Sequence, residues 1–320
     1  MHELRWRKLT HPSSCGTKKN ASESLRVVVT GGNGFLGRVL CSNLKHCELA
    51  VIDAYSSQDQ TAKVQQFICD ITDPNRISEF IHNYKPEAIV HLAAITGVKK
   101  CEENPREAFA VNVGGTANVA DAAARSGSFL IFASSREVYG ETVGQATAEN
   151  DSLNPKNLYG VTKVMGEQVL WWFNRLKSLR FSILRFTNLY GPGGDQYVSN
   201  VIMKRALSNE DITIYGGSQT LNLIHVQDAA RAITLALEKE VFSDAFNVGS
   251  ADSVTLEELV GKIIKITNSH SRVLRADMRP NETGRFVPDL TKASRKLGFS
   301  SEISLEEGLL RLAKQSRTKD

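Results

Sequence analysis

Leu25-Arg26-Val27-Val28-Val29-Thr30-Gly31-Gly32-Asn33-Gly34-Phe35-Leu36-Gly37 is the stretch that decides the fold. A short β-branched run meets three glycines spaced G-x-x-G-x-x-G, and Arg38-Val39-Leu40-Cys41-Ser42-Asn43-Leu44 then repeats apolar residues at helical spacing. The pattern predicts a strand, a tight turn and a helix. Glycine at Gly31, Gly34 and Gly37 lets the chain turn, lets a pyrophosphate approach the backbone at the positive end of the helix, and lets that helix pack closely on the strand. Phe35 and Leu36, inside the same turn, are counted with the glycines as binding residues. A second apolar strand, Glu48-Leu49-Ala50-Val51-Ile52, ends at Asp53, at the distance from the glycines where a carboxylate accepts hydrogen bonds from an adenosine ribose. An acidic group there repels a ribose phosphate, so the expected dinucleotide is NAD rather than NADP. Asp70 and Ile71 follow a third short strand and are expected to border the adenine.

Outward from this loop, strands such as Ala88-Ile89-Val90-His91, Phe129-Leu130-Ile131-Phe132 and Phe181-Ser182-Ile183-Leu184 alternate with helical segments. That alternation predicts an α/β protein with a Rossmann-type doubly wound parallel sheet. Residues 25–190 are expected to form the dinucleotide-binding domain and residues 191–320 a smaller C-terminal substrate lobe. Residues 1–24, polar and without an apolar signal-like core, are read as a flexible extension.

A second constellation lies downstream. Tyr159-Gly160-Val161-Thr162-Lys163 sets a phenol and an ammonium one helical turn apart on the same face. A free phenol titrates near pH ~10, and a nearby cation is expected to favour the phenolate and bring that proton within working range. Ser135, in Ser134-Ser135-Arg136-Glu137-Val138-Tyr139-Gly140, is expected to stand at a strand end and polarise the same substrate oxygen.

Composition narrows the setting. With 320 residues and 41% hydrophobic content the chain can fill one large α/β core, and no apolar run approaches the ~20 residues of a membrane helix. The 39 basic and 35 acidic residues leave a modest, scattered net charge of +4, which gives no nucleic-acid footprint. Cys15, Cys41, Cys47, Cys69 and Cys101 form no C-x-x-C pair and no metal-ligand spacing, so reduced thiols, no metal and a cytoplasmic setting are expected.

Taken together, these motifs resemble the extended short-chain dehydrogenase/reductase family, specifically its NAD-dependent nucleotide-sugar epimerases and dehydratases. The resemblance runs from about Leu25 to about Phe299 and includes His91-Leu92-Ala93-Ala94, Asn112-Val113-Gly114-Gly115-Thr116, Asn188-Leu189-Tyr190-Gly191-Pro192, Ile224-His225-Val226 with Asp228, and Phe246-Asn247-Val248-Gly249. It implies that Ser135 is the catalytic hydroxyl, Tyr159 the acid/base and Lys163 the holder of the nicotinamide ribose. Ala93 and Asn112 would then belong to the cofactor site, and Asn188 would face a nucleotide-diphosphate sugar. The strand at Phe246-Asn247-Val248 would return to the main sheet. Helices near 105–126 and 158–176, the latter carrying Val169, Leu170, Trp171, Trp172 and Phe173, would form a homodimer interface.

Two departures from the family pattern bear on the reaction. Arg136 and Glu137 stand where 4,6-dehydratases carry Asp-Glu, and an arginine cannot donate a proton at neutral pH. This favours epimerisation through a transient 4-keto sugar, most simply a UDP-sugar 4-epimerase. Decarboxylation or dehydration using Glu137 is the alternative, and a non-catalytic NAD-binding protein the alternative of another class. Leu221 and Asn222 replace a phosphate-gripping Arg and its Asp, which leaves Arg279 as the remaining match to the family's diphosphate arginines.

Overall fold

The computed structural model describes residues 24–56, 64–142 and 144–317. The extension expected over 1–24, apart from Ser24, and Cys15 lie outside the described residues.

β1 (Arg26–Thr30) runs into α1 (Phe35–Asn43), followed by β2 (Glu48–Asp53), β3 (Gln65–Ile68), α2 (Pro74–Tyr84) and β4 (Ala88–His91). Next come α3 (Val98–Glu103), α4 (Pro105–Phe109), a π-helical turn at Ala110–Gly115, α5 (Thr116–Ser126) and β5 (Phe129–Ser135). A 3-10 turn at Arg136–Val138 precedes α6 (Leu158–Lys177), β6 (Phe181–Phe186), β7 (Asn188–Tyr190) and α7 (Val198–Leu207). Then follow β8 (Ile212–Tyr215), β9 (Thr220–His225), α8 (Val226–Lys239), β10 (Asp244–Val248), β11 (Ser253–Thr255), α9 (Leu256–Thr267), β12 (Val273–Ala276), α10 (Thr291–Leu297) and α11 (Leu305–Arg317).

Seven strands form one sheet in the order β10-β6-β5-β4-β1-β2-β3, every neighbouring pair parallel. The chain leaves β3 and re-enters beside β1 as β4, so the strand order reverses between β1 and β4. In an open sheet of this kind the crevice at that reversal, beyond the strands' C-terminal ends, is where ligands bind. Because helices cover both faces, strands such as β1, β4 and β6 read as apolar runs rather than alternating ones. Val27 and Val29 belong to one core cluster with Leu40 of α1, Ile233 of α8 and Leu297 of α10. Val28 points to the other, with Ile77 of α2, Val119 of α5 and Leu170 of α6. At roughly 1.5–3 kcal/mol for each buried aliphatic side chain, the three valines fix the register, since a slip by one residue would exchange their faces.

The region 105–126 is not the single helix expected from sequence. α4 and α5 are separated by the π-helical turn, in which Asn112 is buried and spends its side chain on neighbouring segments. A π-turn inserted in a helix is a frequent mark of a functional site. α6 begins at Asn157, whose side chain accepts from Gly160 N at 2.9 Å.

A third cluster, containing Tyr190, Met203, Leu221, Leu223, Leu259, Ile263, Leu309 and Leu312, forms the smaller lobe from α7, α9, α11 and the strands β7 and β9. β11, β9 and β7 make a three-stranded sheet there, and β12 pairs with β8. The lobe is not a continuous segment: α8, β10 and α10 all lie in the main unit, and β10 adds to β6 at the sheet's edge.

Among the described residues no helix is long and apolar enough to cross a membrane, and no group of His, Cys, Asp and Glu is arranged to hold a metal. Cys41, Cys47, Cys69 and Cys101 are unpaired, and burial pushes all four thiols upward, Cys41 to about 11.

Candidate active site

The turn after β1 is held by backbone. Gly31 has φ 72°, and a Cβ added there would come 2.6 Å from Ala93 N on the β4 side. Added at Gly37, it would come 2.4 Å from Gly31 O. A side chain at Gly31 would collide with the backbone that follows β4, and one at Gly37 would push α1 away from the turn. Gly34 is the N-cap of α1, so no cap side chain competes with an anion for the first helical N–H groups. Asp53, at the end of β2, accepts from Asn33 N at 3.0 Å and from Tyr55 N at 3.1 Å, which draws its carboxylate against the glycine turn. Asp70 accepts from Thr72 N at 2.8 Å, and Ile71 is buried beneath α5, where its carbonyl accepts from Asn118 Nδ2 at 2.9 Å. Phe35 reaches out to Tyr197, ring centroids 4.9 Å apart, whereas Leu36 is a core residue able to offer only its backbone.

Asn112 ties this half to the next. Its Oδ1 accepts from Ile95 N at 2.8 Å, and its Nδ2 lies 3.0 Å from both Ile95 O and Thr162 Oγ1 on α6. Thus the π-turn fixes the loop after β4 against the helix that carries Tyr159 and Lys163. Nearby, His91 is locked between Thr30 Oγ1 at 2.7 Å and Thr116 Oγ1 at 3.0 Å, and burial drives its pKa down to about 3.

Ser135, Tyr159 and Lys163 come together at the end of β5 and the start of α6. Ser135 accepts from Glu137 N at 3.2 Å, and its hydroxyl is near enough to the Tyr159 phenol to favour the phenolate. Lys163 Nζ lies 5.8 Å from the Tyr159 ring centre, 4.8 Å over Phe132, and donates to Ala133 O at 2.8 Å. The phenol's titration runs against the expectation from sequence. Burial raises its pKa, helped by Tyr197, Cys101 and Glu137, and the Ser135 hydroxyl offsets only part of this. A cation one turn away does not overcome desolvation of the phenolate. Burial also lowers Lys163 to about 8, opposed by Cys101 and Glu167.

Glu137 is engaged on both oxygens. Oε1 pairs with Arg136 Nη2 at 2.8 Å, and Oε2 accepts from Asn157 Nδ2 at 2.8 Å and from Thr283 Oγ1 at 3.5 Å. The segment holding Thr283 also carries Asn281, whose carbonyl accepts from Asn157 Nδ2 at 3.4 Å, and Arg279. Arg279 is half exposed, its guanidinium 4.0 Å over the Tyr215 ring and 3.6 Å from Glu282. Asn188 Oδ1 is buried without a hydrogen-bond partner among the described residues. Leu221 is buried in the lobe's core, and Asn222 Nδ2 donates to Ser250 O and Asp252 O at 2.9 and 3.1 Å. Both residues are spent on packing the lobe.

Sequence reasoning passed over Asn157, Thr283 and a buried ion pair. Arg185 Nη2 meets Glu167 Oε2 at 2.7 Å, Ser134 Oγ donates to Glu167 Oε1 at 2.6 Å, and Arg185 Nη1 donates to Tyr139 Oη at 2.7 Å. Glu167 stands four residues after Lys163, a helical interval that was available as a signal. Thr283 offered none, being joined to the site only through tertiary contact.

The profile of the NAD dependent epimerase/dehydratase family matches residues 27–249. Over 298 residues the chain is 30% identical to a putative UDP-glucose 4-epimerase of Methanocaldococcus jannaschii, spanning 89% of this chain and 96% of that one. It is 29% identical over 308 residues to the UDP-N-acetyl-alpha-D-glucosaminuronate decarboxylase of Bacillus cytotoxicus, spanning 89% and 95%. The crystal structure of Thermotoga maritima UDP-glucose 4-epimerase with UDP-glucose is similar at TM-score 0.87 and 28% identity, over 92% of this chain and 99% of that one. With its glycine turn, Ser-Tyr-Lys arrangement and doubly wound sheet, the chain belongs to the NAD dependent epimerase/dehydratase family of extended short-chain dehydrogenases/reductases, as an NAD-dependent enzyme of the nucleotide-sugar epimerase, dehydratase and decarboxylase group.

Proposed function

We propose that the protein is a nucleotide-sugar 4-epimerase that inverts a UDP-sugar through a transient 4-keto sugar. The observation that carries this is the gathering of Ser135, at the C-terminal end of β5, with the buried Tyr159 phenol and with Lys163 Nζ 5.8 Å from the phenol's ring centre. Gly31, Gly34, Phe35, Leu36, Gly37, Asp53, Asp70, Ile71, Ala93 and Asn112 line or brace the dinucleotide side of the crevice. They would hold NAD, which would supply the hydride acceptor and donor for the sugar carbon.

The chain's own residues handle the proton. Tyr159 Oη takes the proton of the sugar's 4-hydroxyl as that carbon is oxidised and gives it back on reduction, while Ser135 Oγ holds the same oxygen. The high proton affinity that burial gives Tyr159 suits the returning step. Removal of the proton needs Lys163 charged and close, and the lowered Lys163 pKa of about 8 sets the upper limit of the working range. Asn188 and Arg279 are assigned to the nucleotide-diphosphate sugar, the open Asn188 Oδ1 as an acceptor for one of its O–H or N–H groups and Arg279 as a donor to the phosphates. Arg136 at the position of a proton donor counts against 4,6-dehydration. Decarboxylation is the second reading, because Glu137 lies close enough to raise the Tyr159 pKa.

The exposed Phe109, Met165, Trp172 and Leu176 of α4 and α6 support a homodimer through these helices, and the unpaired thiols support a cytoplasmic setting. NMR of UDP-sugars incubated with the NAD-loaded enzyme tests the reaction. Inversion at the fourth sugar carbon with all carbons retained is expected; stoichiometric carbon dioxide that disappears in Glu137→Gln would replace epimerisation with decarboxylation.

A further inference from the structure

Arg136 follows Ser135 at the end of β5 and is 8% exposed. One arm of its guanidinium is committed, with Nη2 2.8 Å from Glu137 Oε1. The other arm is not: Nη1 is buried and has no hydrogen-bond partner among the described residues. Its apolar neighbour, the Phe286 ring centred 5.8 Å from the guanidinium carbon, cannot accept those protons conventionally. A buried cationic donor without an acceptor is unfavourable, and native proteins match nearly all of them. An acceptor supplied by the substrate would remove the mismatch.

The surroundings say which part of the substrate. Arg136 is adjacent in sequence to Ser135, and its ion-pair partner Glu137 is within electrostatic reach of the Tyr159 phenol. The open arm therefore sits at the end of the crevice where the sugar reacts, whereas Asn188 and Arg279 come from β7 and the segment before Glu282. With Nη2 spent on Glu137, the open arm offers the N–H groups of Nη1 on a delocalised cation, for which an anionic carboxylate oxygen is a stronger acceptor than a neutral hydroxyl.

We propose that the open arm of Arg136 receives the carboxylate of an acidic sugar, so that the preferred substrate is a nucleotide-linked hexuronate rather than a neutral hexose. This deepens, and rests on, the nucleotide-sugar reading of the site. Arg136 is in this account a specificity-determining residue, and no bond is made or broken at it.

Turnover and calorimetric binding of UDP-glucuronate, UDP-glucose and UDP by the NAD-loaded enzyme test it, in the unmodified protein and in Arg136→Gln and Arg136→Lys. The unmodified enzyme is expected to favour UDP-glucuronate over UDP-glucose by about 30-fold in kcat/KM, the scale of a charged hydrogen bond. Arg136→Gln should reduce that preference to within about threefold while UDP binding stays unchanged, and Arg136→Lys should restore only part of it. A preference for UDP-glucose in the unmodified enzyme overturns the proposal without any variant needing to fold. Equal loss of both sugars in Arg136→Gln also overturns it, since the guanidinium would then serve only to hold Glu137. So does a loss of UDP affinity, which would place a phosphate on the open arm. Turnover of UDP-glucose alone leaves the nucleotide-sugar reading intact; binding of NAD with no binding of any uridine compound overturns both.

Discussion

Around the glycine turn the shaping contacts are made by one strand-turn-helix and its sheet neighbours, whereas Glu137 is held by Asn157 and Thr283, 20 and 146 residues along the chain. The dinucleotide side is backbone packed on backbone: Gly31 against Ala93, Gly37 against Gly31. The sugar side is side chains brought together by tertiary folding. A site assembled in the first way is dictated by local spacing and tolerates almost no Cβ. One assembled in the second way has room to change partners, as Arg136 does in pairing with Glu137 through one arm only.

The largest effect is expected where the two sides meet. Tyr159→Phe removes the hydroxyl while keeping the ring, so turnover should fall by ~100-fold or more with NAD affinity and folding retained. Stopped-flow or endpoint product analysis of the variant beside NAD titration checks it. Near-normal turnover would remove Tyr159 from the acid/base role.

Next is a probe of the dinucleotide side alone. His91 is held near a pKa of about 3 against an ordinary value of 6.5, so the unfolded chain binds a proton that the folded one refuses between those values. Its contribution to stability is fully present above pH 6.5 and is lost as pH falls towards about 3, by up to about 1.4 kcal/mol per pH unit. Denaturant titrations of the unmodified protein and His91→Gln across that window should show a shallower acid slope in the variant. Equal slopes would mean that another group carries the acid sensitivity.

The smallest effect tests the sugar side. Arg279 is half exposed and stacked on Tyr215, so Arg279→Ala should weaken UDP-sugar binding by roughly fivefold and leave NAD binding unaltered. Calorimetry with each ligand separates the two. Equal weakening of both would erase the distinction between a local dinucleotide side and a long-range sugar side.

What was legible in the sequence follows the same division. The glycine turn, Asp53 at the end of β2, the parallel sheet and the Tyr159–Lys163 interval are set by spacing within one or two elements, and spacing is visible in a chain read alone. The π-turn that breaks 105–126 was not, because apolar periodicity continues through it and only the buried Asn112 betrays it. Nor was the direction of the Tyr159 shift, since desolvation depends on which side chains close over the phenol, and Tyr197 and Cys101 come from distant segments. Leu221 could be seen to lack charge, but not that its side chain completes the lobe's core.

The return of β10 to the edge of the sheet has a consequence for how the polypeptide can be cut. A fragment ending after β7 would contain every residue of the dinucleotide side and of the Ser-Tyr-Lys arrangement, yet β6 would be left with one row of backbone amides and carbonyls open to solvent. It would also lack Ile233 of α8 and Leu297 of α10, which cover one face of that sheet. An uncovered parallel edge of apolar sequence is a template for pairing with another chain. The half of the protein that is easiest to recognise is thus one expected to aggregate if made alone, and a fragment that closes the sheet and covers that face must extend at least through α10.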